Sequence, residues 1–280
     1  MKKVLVTGIS QGIGRGIAEK FLNAGYTLYG TFNKGREKAN ELIEKFGESH
    51  VKLFGPYDFT NLNDSVRFAD EVKTHQFDAI VCNAGIFSEN DDFNKFDLED
   101  FTSVMNCNFY TPLILTTALK DAIVEGGSIV IVSSNDAYPG AFASMSYSIS
   151  KSALLSLMKC LSVNYGKKGI KVNSVAPGAI DTAMNTPEQM QISPYFSPIA
   201  RVGTPEDVAK VVYFLSTDEA GFISGENITI DGGYNIESVL LKSEADPNLS
   251  VLLRTYFADQ SFINVVNKYA DKIGVDRNNN

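Results

Sequence analysis

The sequence predicts an α/β protein: a doubly wound parallel sheet in a single domain, with a helical C-terminal extension. Three observations predict it. Apolar runs without polar alternation recur along the chain, separated by segments of helical spacing, the pattern of a parallel sheet covered on both faces. A glycine-rich turn follows the first run and opens the first helix. The 280 residues, 44% of them hydrophobic, suit one large α/β domain or two small ones with a real core.

The elements follow in order. KVLVTG (residues 3–8) is a short β-rich run, and GIGRGIAEKFLNAG (12–25) is a helix closed by Gly25. TLYGTF (27–32) is the second strand, and EKANELIEKFG (37–47) is a helix closed by Gly47. VKLFGPYD (51–58) reads as a third strand, followed by a helix over 63–75 capped by Asn63 or Asp64. FDAIVCNAG (77–85), GSIVIVSS (127–134), IKVNSVAPG (170–178) and NITIDGG (227–233) are the remaining strands. Residues 1–235 thus form the expected Rossmann-type dinucleotide-binding and catalytic domain, and 236–280 the helical extension, frayed at DRNNN.

Composition excludes several function classes. A formal charge of −8 repels phosphate backbones, so no nucleic-acid partner is expected. The apolar run after Lys2 and Lys3 ends at Val6, too short for a signal sequence, and no stretch has the length of a membrane span. A cytoplasmic protein without a membrane partner is expected. Cys82, Cys107 and Cys160 lack CxxC spacing and read as reduced thiols. His50 and His75 have no partners at metal-ligand spacing, so no metal is expected.

Two motifs carry chemistry. Gly8, Gly12 and Gly14 lie in VLVTGISQGIGRGIA, directly after the first strand. Without Cβ atoms the backbone can approach a pyrophosphate, and the helix N-terminus offers free N–H groups and partial positive charge. A tight turn with no ligand would use the same glycines; the alternating α/β context favours dinucleotide binding. In SMSYSISKSALL, Tyr147 and Lys151 stand at i and i+4 and share a helix face. A neighbouring ammonium favours phenolate and turns a reluctant phenol into a general acid–base group. Ser134 stands at the end of GSIVIVSS, on the edge where parallel sheets place their chemistry.

The glycine turn, CNAG (82–85), SIVIVSS, YSISK and VNSVAPG occur in that order, followed by RVGTPEDVAKVVYFLS and ISGENITIDGG. Over residues 1–235 this set resembles the single-domain branch of the short-chain dehydrogenase/reductase family, in the manner of its 3-oxoacyl-carrier-protein-reductase-like members. The resemblance implies an NAD(P)-dependent oxidoreductase moving hydride between nicotinamide and a carbonyl or secondary alcohol. It implies Tyr147 as general acid/base, Lys151 lowering its pKa and holding the nicotinamide ribose, and Ser134 orienting the substrate oxygen. Of Asn106 and Asn108, the place ahead of Thr116 selects Asn108 as anchor of a proton-relay water. Around the cofactor, Gly8, Gln11, Gly12, Ile13 and Gly14 match the pyrophosphate turn. Asn83 and Gly85 match the segment beside the riboses, and Asp58 and Phe59 the adenine side. Pro177, Gly178, Ile180 and Thr182 match the segment holding the carboxamide. Plain alternatives exist for two of these: a turn residue for Asp58 and a helix N-cap for Thr182.

NAD-preferring members carry an acid after the second strand; here Phe32 takes that place, followed by Asn33 and Lys34. Lys34 or Arg36 could meet a 2′-phosphate, so NADP(H) is favoured over NAD(H), although Gln11 stands where NADP members often have a base. The expected partners are a small carbonyl or alcohol substrate and further copies of the chain, as a homodimer or homotetramer. A cofactor-retaining epimerase or dehydratase and a non-catalytic sensor or scaffold are the rival readings; the intact Ser–Tyr–Lys set weighs against the latter. The substrate loop is expected between Thr182 and Arg201, with Tyr195 and Phe196 over the substrate or packed on the domain. Phe87 and Asp136 could face the pocket, and Asp136 points to a hydroxyl-bearing substrate. In the tail, Asp246 and Pro247 start one amphipathic helix, and Phe262, Val266, Tyr269 and Ile273 share the face of another. Those faces would pack on the domain, reach a partner subunit or narrow the substrate entrance.

Overall fold

The computed structural model describes residues 1–88, 91, 93–140, 144–236 and 238. Two compact units divide the chain, Met1–Gly232 and Gly233–Asn280. The second is described at residues 233–236 and 238, with a 3-10 turn at Tyr234–Ile236. Apart from residues 236 and 238, the helical extension expected over 236–280, with its two amphipathic faces, lies outside the described residues.

The first unit holds a parallel sheet of seven strands: β1 (Lys3–Val6), β2 (Thr27–Thr31), β3 (Val51–Phe54), β4 (Phe77–Cys82), β5 (Ile123–Val132), β6 (Lys171–Pro177) and β7 (Asn227–Ile230). Their order is β3-β2-β1-β4-β5-β6-β7, and every pair is parallel. The strands are apolar throughout because both faces are buried. Val4, Val6, Val130 and Val132 pack on one face with α1 (Gly12–Asn23), α2 (Arg36–Phe46) and α8 (Pro205–Ser216). Leu5, Ile80, Ile129 and Ile131 pack on the other with α3 (Leu62–Val72), α5 (Thr111–Ala118) and α6 (Met145–Tyr165). This is the Rossmann-type architecture the sequence predicts.

Three local details differ from expectation. β3 ends at Phe54 rather than running to residue 58, because Gly55 takes φ +145° and Pro56 has no N–H for a ladder. The cap of α3 is Asn61, whose side chain accepts from Asn63 N; Asp64 instead accepts from Asp58 N at 2.8 Å and pairs with Arg67 at 3.1 Å. The segment read as a substrate loop contains α7 (Pro187–Phe196), started by a Thr186–Gln189 capping box. Tyr195 on it is half exposed.

The strand order reverses between β1 and β4, the switch point beyond whose strand ends such sheets bind ligands. Register aligns Val6 with Val81, Cys82 with Ile131 and Val132 with Val175. Thr7, Asn83, Ser133 and Gly178 therefore leave the sheet along one edge. Between β4 and β5, α4 (Leu98–Met105) passes through a π-helical turn (Asn106–Tyr110) into α5. Such turns often mark functional positions, and this one carries Asn108.

Candidate active site

The glycine turn is pinned by two threonines. Thr31 Oγ1 accepts from Gly8 N at 3.0 Å, and Thr7 Oγ1 accepts from Asn83 N at 3.0 Å and Ala84 N at 2.9 Å. Asn83 Nδ2 donates to the carbonyls of Thr7 and Gly8 at 2.9 and 3.2 Å. Gly8 and Gly12 adopt φ +74° and +57°, which disfavour any Cβ. Gln11 is the N-cap of α1 but makes no side-chain cap, and the first turn holds no acidic residue, so the leading N–H groups face the turn. That arrangement fits a pyrophosphate.

A Cβ on Gly14 would run into the Gly8 carbonyl and Asn83 Nδ2, both held in place. Gly14→Ala is expected to destabilise the protein by about 2–3 kcal/mol and to weaken dinucleotide binding about tenfold or more. A urea midpoint and a nicotinamide fluorescence titration measure both; wild-type values in the two would show that the turn has slack.

A second cluster lies at the ends of β4 and β5. Lys151 Nζ donates to Val132 O at 2.9 Å, and Ser133 Oγ holds the Lys151 carbonyl at 2.9 Å. Asn108 is buried: its Oδ1 accepts from Ile86 N at 2.8 Å, and its Nδ2 donates to Ile86 O at 2.9 Å and Ser150 Oγ at 3.1 Å. A Cβ on Gly85 would sit 3.3 Å from both Asn108 Oδ1 and Lys151 Nζ, so the backbone there passes between the two. Asn106 points elsewhere, with Nδ2 on Thr60 O at 2.8 Å.

Tyr147 and Lys151 share a face of α6 as the spacing predicts, with Nζ 5.4 Å from the phenol ring centroid. Phe87 meets the Tyr147 ring edge-on at 5.6 Å and is 44% exposed, so it lines the open side of the cleft. Ser134 stands near enough to the Tyr147 phenol to favour its ionised form. Burial dominates the phenol and pushes it up to about 12; Ser134 works downward and the Asp136 charge upward. The lowering expected from Lys151 does not appear in this phenol, because an amine at about 8 is already neutral where a phenol near 12 ionises. Burial likewise pushes Lys151 down to about 8.

The remaining segment follows β6. A Cβ on Gly178 would stand 2.7 Å from Asp231 Cβ and 3.5 Å from Asn135 Nδ2, placing the chain after Pro177 beside the Ser134 turn. Ile180 is buried and bridges to Gly203. Thr182 lies over the glycine turn, its Cγ2 3.1 Å from a Cβ built on Gly12. It is not a helix N-cap; Thr186 is. Ile13 is half-buried on α1 and packs against the core.

The residues expected on the adenine side follow β2 and β3. Asp58 is exposed, and its carboxylate accepts from Thr60 N at 3.1 Å and Thr60 Oγ1 at 2.8 Å, the bonds of a turn residue. The Phe59 side chain turns away into the core, stacked on Tyr57 at 6.2 Å and tilted on Phe68 at 6.1 Å, because an apolar ring is better buried there. Asn33 and Lys34 are exposed beyond β2, and the Arg36 guanidinium lies 5.8 Å from the Phe32 ring centroid. Lys38 Nζ reaches Gln11 Oε1 at 3.4 Å, adding a base beside the turn that sequence reading missed.

Asp91 was missed as well. It accepts from Ser146 N, Ser146 Oγ and Tyr147 N at 2.7, 2.6 and 3.3 Å, capping α6 from a segment far away in sequence. No local pattern announces it. Thr7 and Ser133 stood beside recognised motifs, and their strand-end positions were the available signal. Among the described residues, no group of three or more His, Cys, Asp or Glu could hold a metal, and no helix is long and apolar enough to cross a membrane.

Known proteins resemble this chain in sequence and in fold. The sequence model of a family described as Enoyl-(Acyl carrier protein) reductase matches residues 8–235. The chain is 35% identical over 243 residues to the 3-oxoacyl-[acyl-carrier-protein] reductase FabG of Aquifex aeolicus (strain VF5), covering 83% of this chain and 96% of that protein. A short chain dehydrogenase from Burkholderia cenocepacia J2315, solved in complex with NADP, superposes with TM-score 0.78 at 31% identity, over 84% of this chain and 98% of that one. A blue fluorescent protein from a metagenomic library, solved with NADPH, gives TM-score 0.78 at 26% identity, over 83% and 97%.

Proposed function

The chain belongs to the short-chain dehydrogenase/reductase family and is an NAD(P)-dependent oxidoreductase; from that premise we propose that it reduces a carbonyl, or oxidises the matching secondary alcohol, with Tyr147 as general acid/base. The observation that carries this reading is the meeting of Tyr147, Ser134, Lys151 and Asn108 beside the glycine turn at one sheet edge. A bound nicotinamide supplies or accepts the hydride. Ser134 holds the substrate oxygen next to the phenol. A phenol pushed up to about 12 is protonated at neutral pH, which suits it to give its proton to a forming alkoxide. Lys151 favours the phenolate left behind and reaches toward the ribose. Asn108, bonded to both Ile86 backbone groups, keeps the helix open at its π turn for a relay water.

NADP(H) is the favoured cofactor in this reading. It is supported by Phe32 in place of an acid after β2, by exposed Lys34 and Arg36, and by Lys38 beside Gln11. It predicts that NADPH binds about tenfold tighter than NADH or better, the worth of one or two charge-assisted contacts. A nicotinamide fluorescence titration measures this against little background, since the chain has no Trp. Tighter NADH binding would overturn the cofactor preference; binding of neither would overturn the oxidoreductase reading itself.

The reading includes a cytoplasmic location, supported by three free cysteines. It also includes a homodimer or homotetramer, supported by exposed Tyr110, Ile149 and Val163 along the π turn and α6.

A further inference from the structure

Two residues beyond Ser134, the chain carries a carboxylate that the proposed chemistry does not use. Asp136 sits in the 3-10 turn Asn135–Ala137 that follows β5. The turn is rigid: Asp136 N donates to Ser134 Oγ at 3.1 Å, Ala137 N to Ser134 O at 3.1 Å, and Ser152 Oγ on α6 to Ala137 O at 2.7 Å. Its neighbours are directed elsewhere. Ala137 is buried, and Tyr138 bonds Thr229 across the sheet at 3.0 Å. With its N–H 3.1 Å from Ser134 Oγ, Asp136 stands beside the hydroxyl assigned to the substrate oxygen, and its charge raises the Tyr147 phenol. Its side chain is half-buried, and burial pushes its carboxyl up. Among the described residues it has no hydrogen-bond or ion-pair partner, although a desolvated carboxylate ordinarily finds one.

We propose that Asp136 is a specificity-determining residue that accepts a hydrogen bond from a hydroxyl neighbouring the reacting carbon of the substrate, so that the enzyme selects neutral hydroxylated carbonyl compounds or the corresponding vicinal diols and rejects those with a carboxylate there. This rests on the oxidoreductase reading and narrows it. The partner is a neutral donor rather than an ammonium, because the Lys151 ammonium 5.4 Å from the Tyr147 ring centroid disfavours a second cation beside the reacting centre. A carboxylate on the substrate would face Asp136 across a partly desolvated gap, where like charges repel strongly.

The test uses binding to the NADP⁺-loaded protein, followed by ligand-observed NMR, with 1,2-butanediol, 2-butanol and 2-hydroxybutanoate. These differ only in the group beside the reacting carbon. Wild type is expected to bind the diol about tenfold or more tighter than 2-butanol, the worth of one hydrogen bond to a charged acceptor, and 2-hydroxybutanoate weakest. Asp136→Ala is expected to remove the diol preference. Asp136→Asn, nearly isosteric and therefore informative even where the alanine variant fails to fold, is expected to lift the exclusion of 2-hydroxybutanoate. No preference for the diol in wild type, including no detectable binding of it, overturns the proposal, as does an unchanged ligand order in the variants. Turnover of 1-hydroxy-2-butanone with NADPH is read separately: its absence beside an intact diol preference counts against the reductase reading and leaves the role of Asp136 supported.

Discussion

Tyr147→Phe is expected to lower kcat for carbonyl reduction by about 10²–10⁴-fold, the usual contribution of one positioned general acid, while NADPH binding stays close to wild type. The substitution removes one oxygen and leaves the ring, with its edge-on contact to Phe87 at 5.6 Å. Helix α6 should therefore keep its place: Asp91 still caps its first turn through Ser146, and Ser152 still ties it to the turn after Ser134. What disappears is the proton. In barrier terms the loss corresponds to about 3–5 kcal/mol. Single-turnover kinetics with prebound NADPH reads the chemical step directly. Full activity in the variant would sink the role assigned to Tyr147. A parallel loss of NADPH binding would instead make the hydroxyl part of the cofactor site.

The direction of the phenol shift makes this loss pH-dependent in a defined sense. With the phenol near 12, the donor form persists from neutral pH to well above 10, so reduction by wild type should not decline through loss of the Tyr147 proton in that range. Alcohol oxidation needs phenolate and should rise with pH over the same interval. The rise belongs to the tyrosine only if Tyr147→Phe abolishes it.

Much of this was legible in the sequence because short-range rules decide it. Continuous apolar runs such as Val4–Val6 and Ile129–Val132 must be buried on both faces, which fixes a parallel sheet between helix layers. The i, i+4 spacing of Tyr147 and Lys151 fixes their common face, and Gly8, Gly12 and Gly14 announce a turn that tolerates no side chain. The parts that escaped depend on distance in sequence. Asp91 caps α6 from more than fifty residues upstream, and Lys38 reaches Gln11 from the next helix. The Phe59 ring packs on Tyr57 and on Phe68, and the Phe68 contact exists only once α3 has docked. The third strand ended early for a local reason that was visible: Gly55–Pro56 interrupts VKLFGPYD. The resemblance over residues 1–235 supplied roles, whereas the electrostatic state of the pair had to come from burial, which no motif records.

That state yields the second large effect. Lys151→Met is expected to cut kcat/KM by roughly 10²-fold or more, as removal of a preorganised charge beside a reacting group does, and yet to make the protein more stable at neutral pH. Lys151 is buried, and its amine has a pKa of about 8 against an ordinary 10.5. Below about pH 8 the amine is charged in both folded and unfolded chains, and the folded state carries the whole penalty of burying it. Between 8 and 10.5 the unfolded lysine binds more protons than the folded one, so wild-type stability rises with pH. Above that window both forms are neutral and the penalty is gone. The span corresponds to a change on the order of 3 kcal/mol. Methionine fills similar volume without charge; it forfeits the bond to Val132 O, worth about 1 kcal/mol. The variant should therefore lead by about 2 kcal/mol near pH 7 and lose that lead as pH approaches 10. Tyr147 titrates in both proteins and largely cancels in the difference. Urea unfolding of the two proteins across this range gives the difference curve. A flat curve would mean that the Lys151 amine is solvated rather than buried, and the electrostatic account of the pair would fall with it.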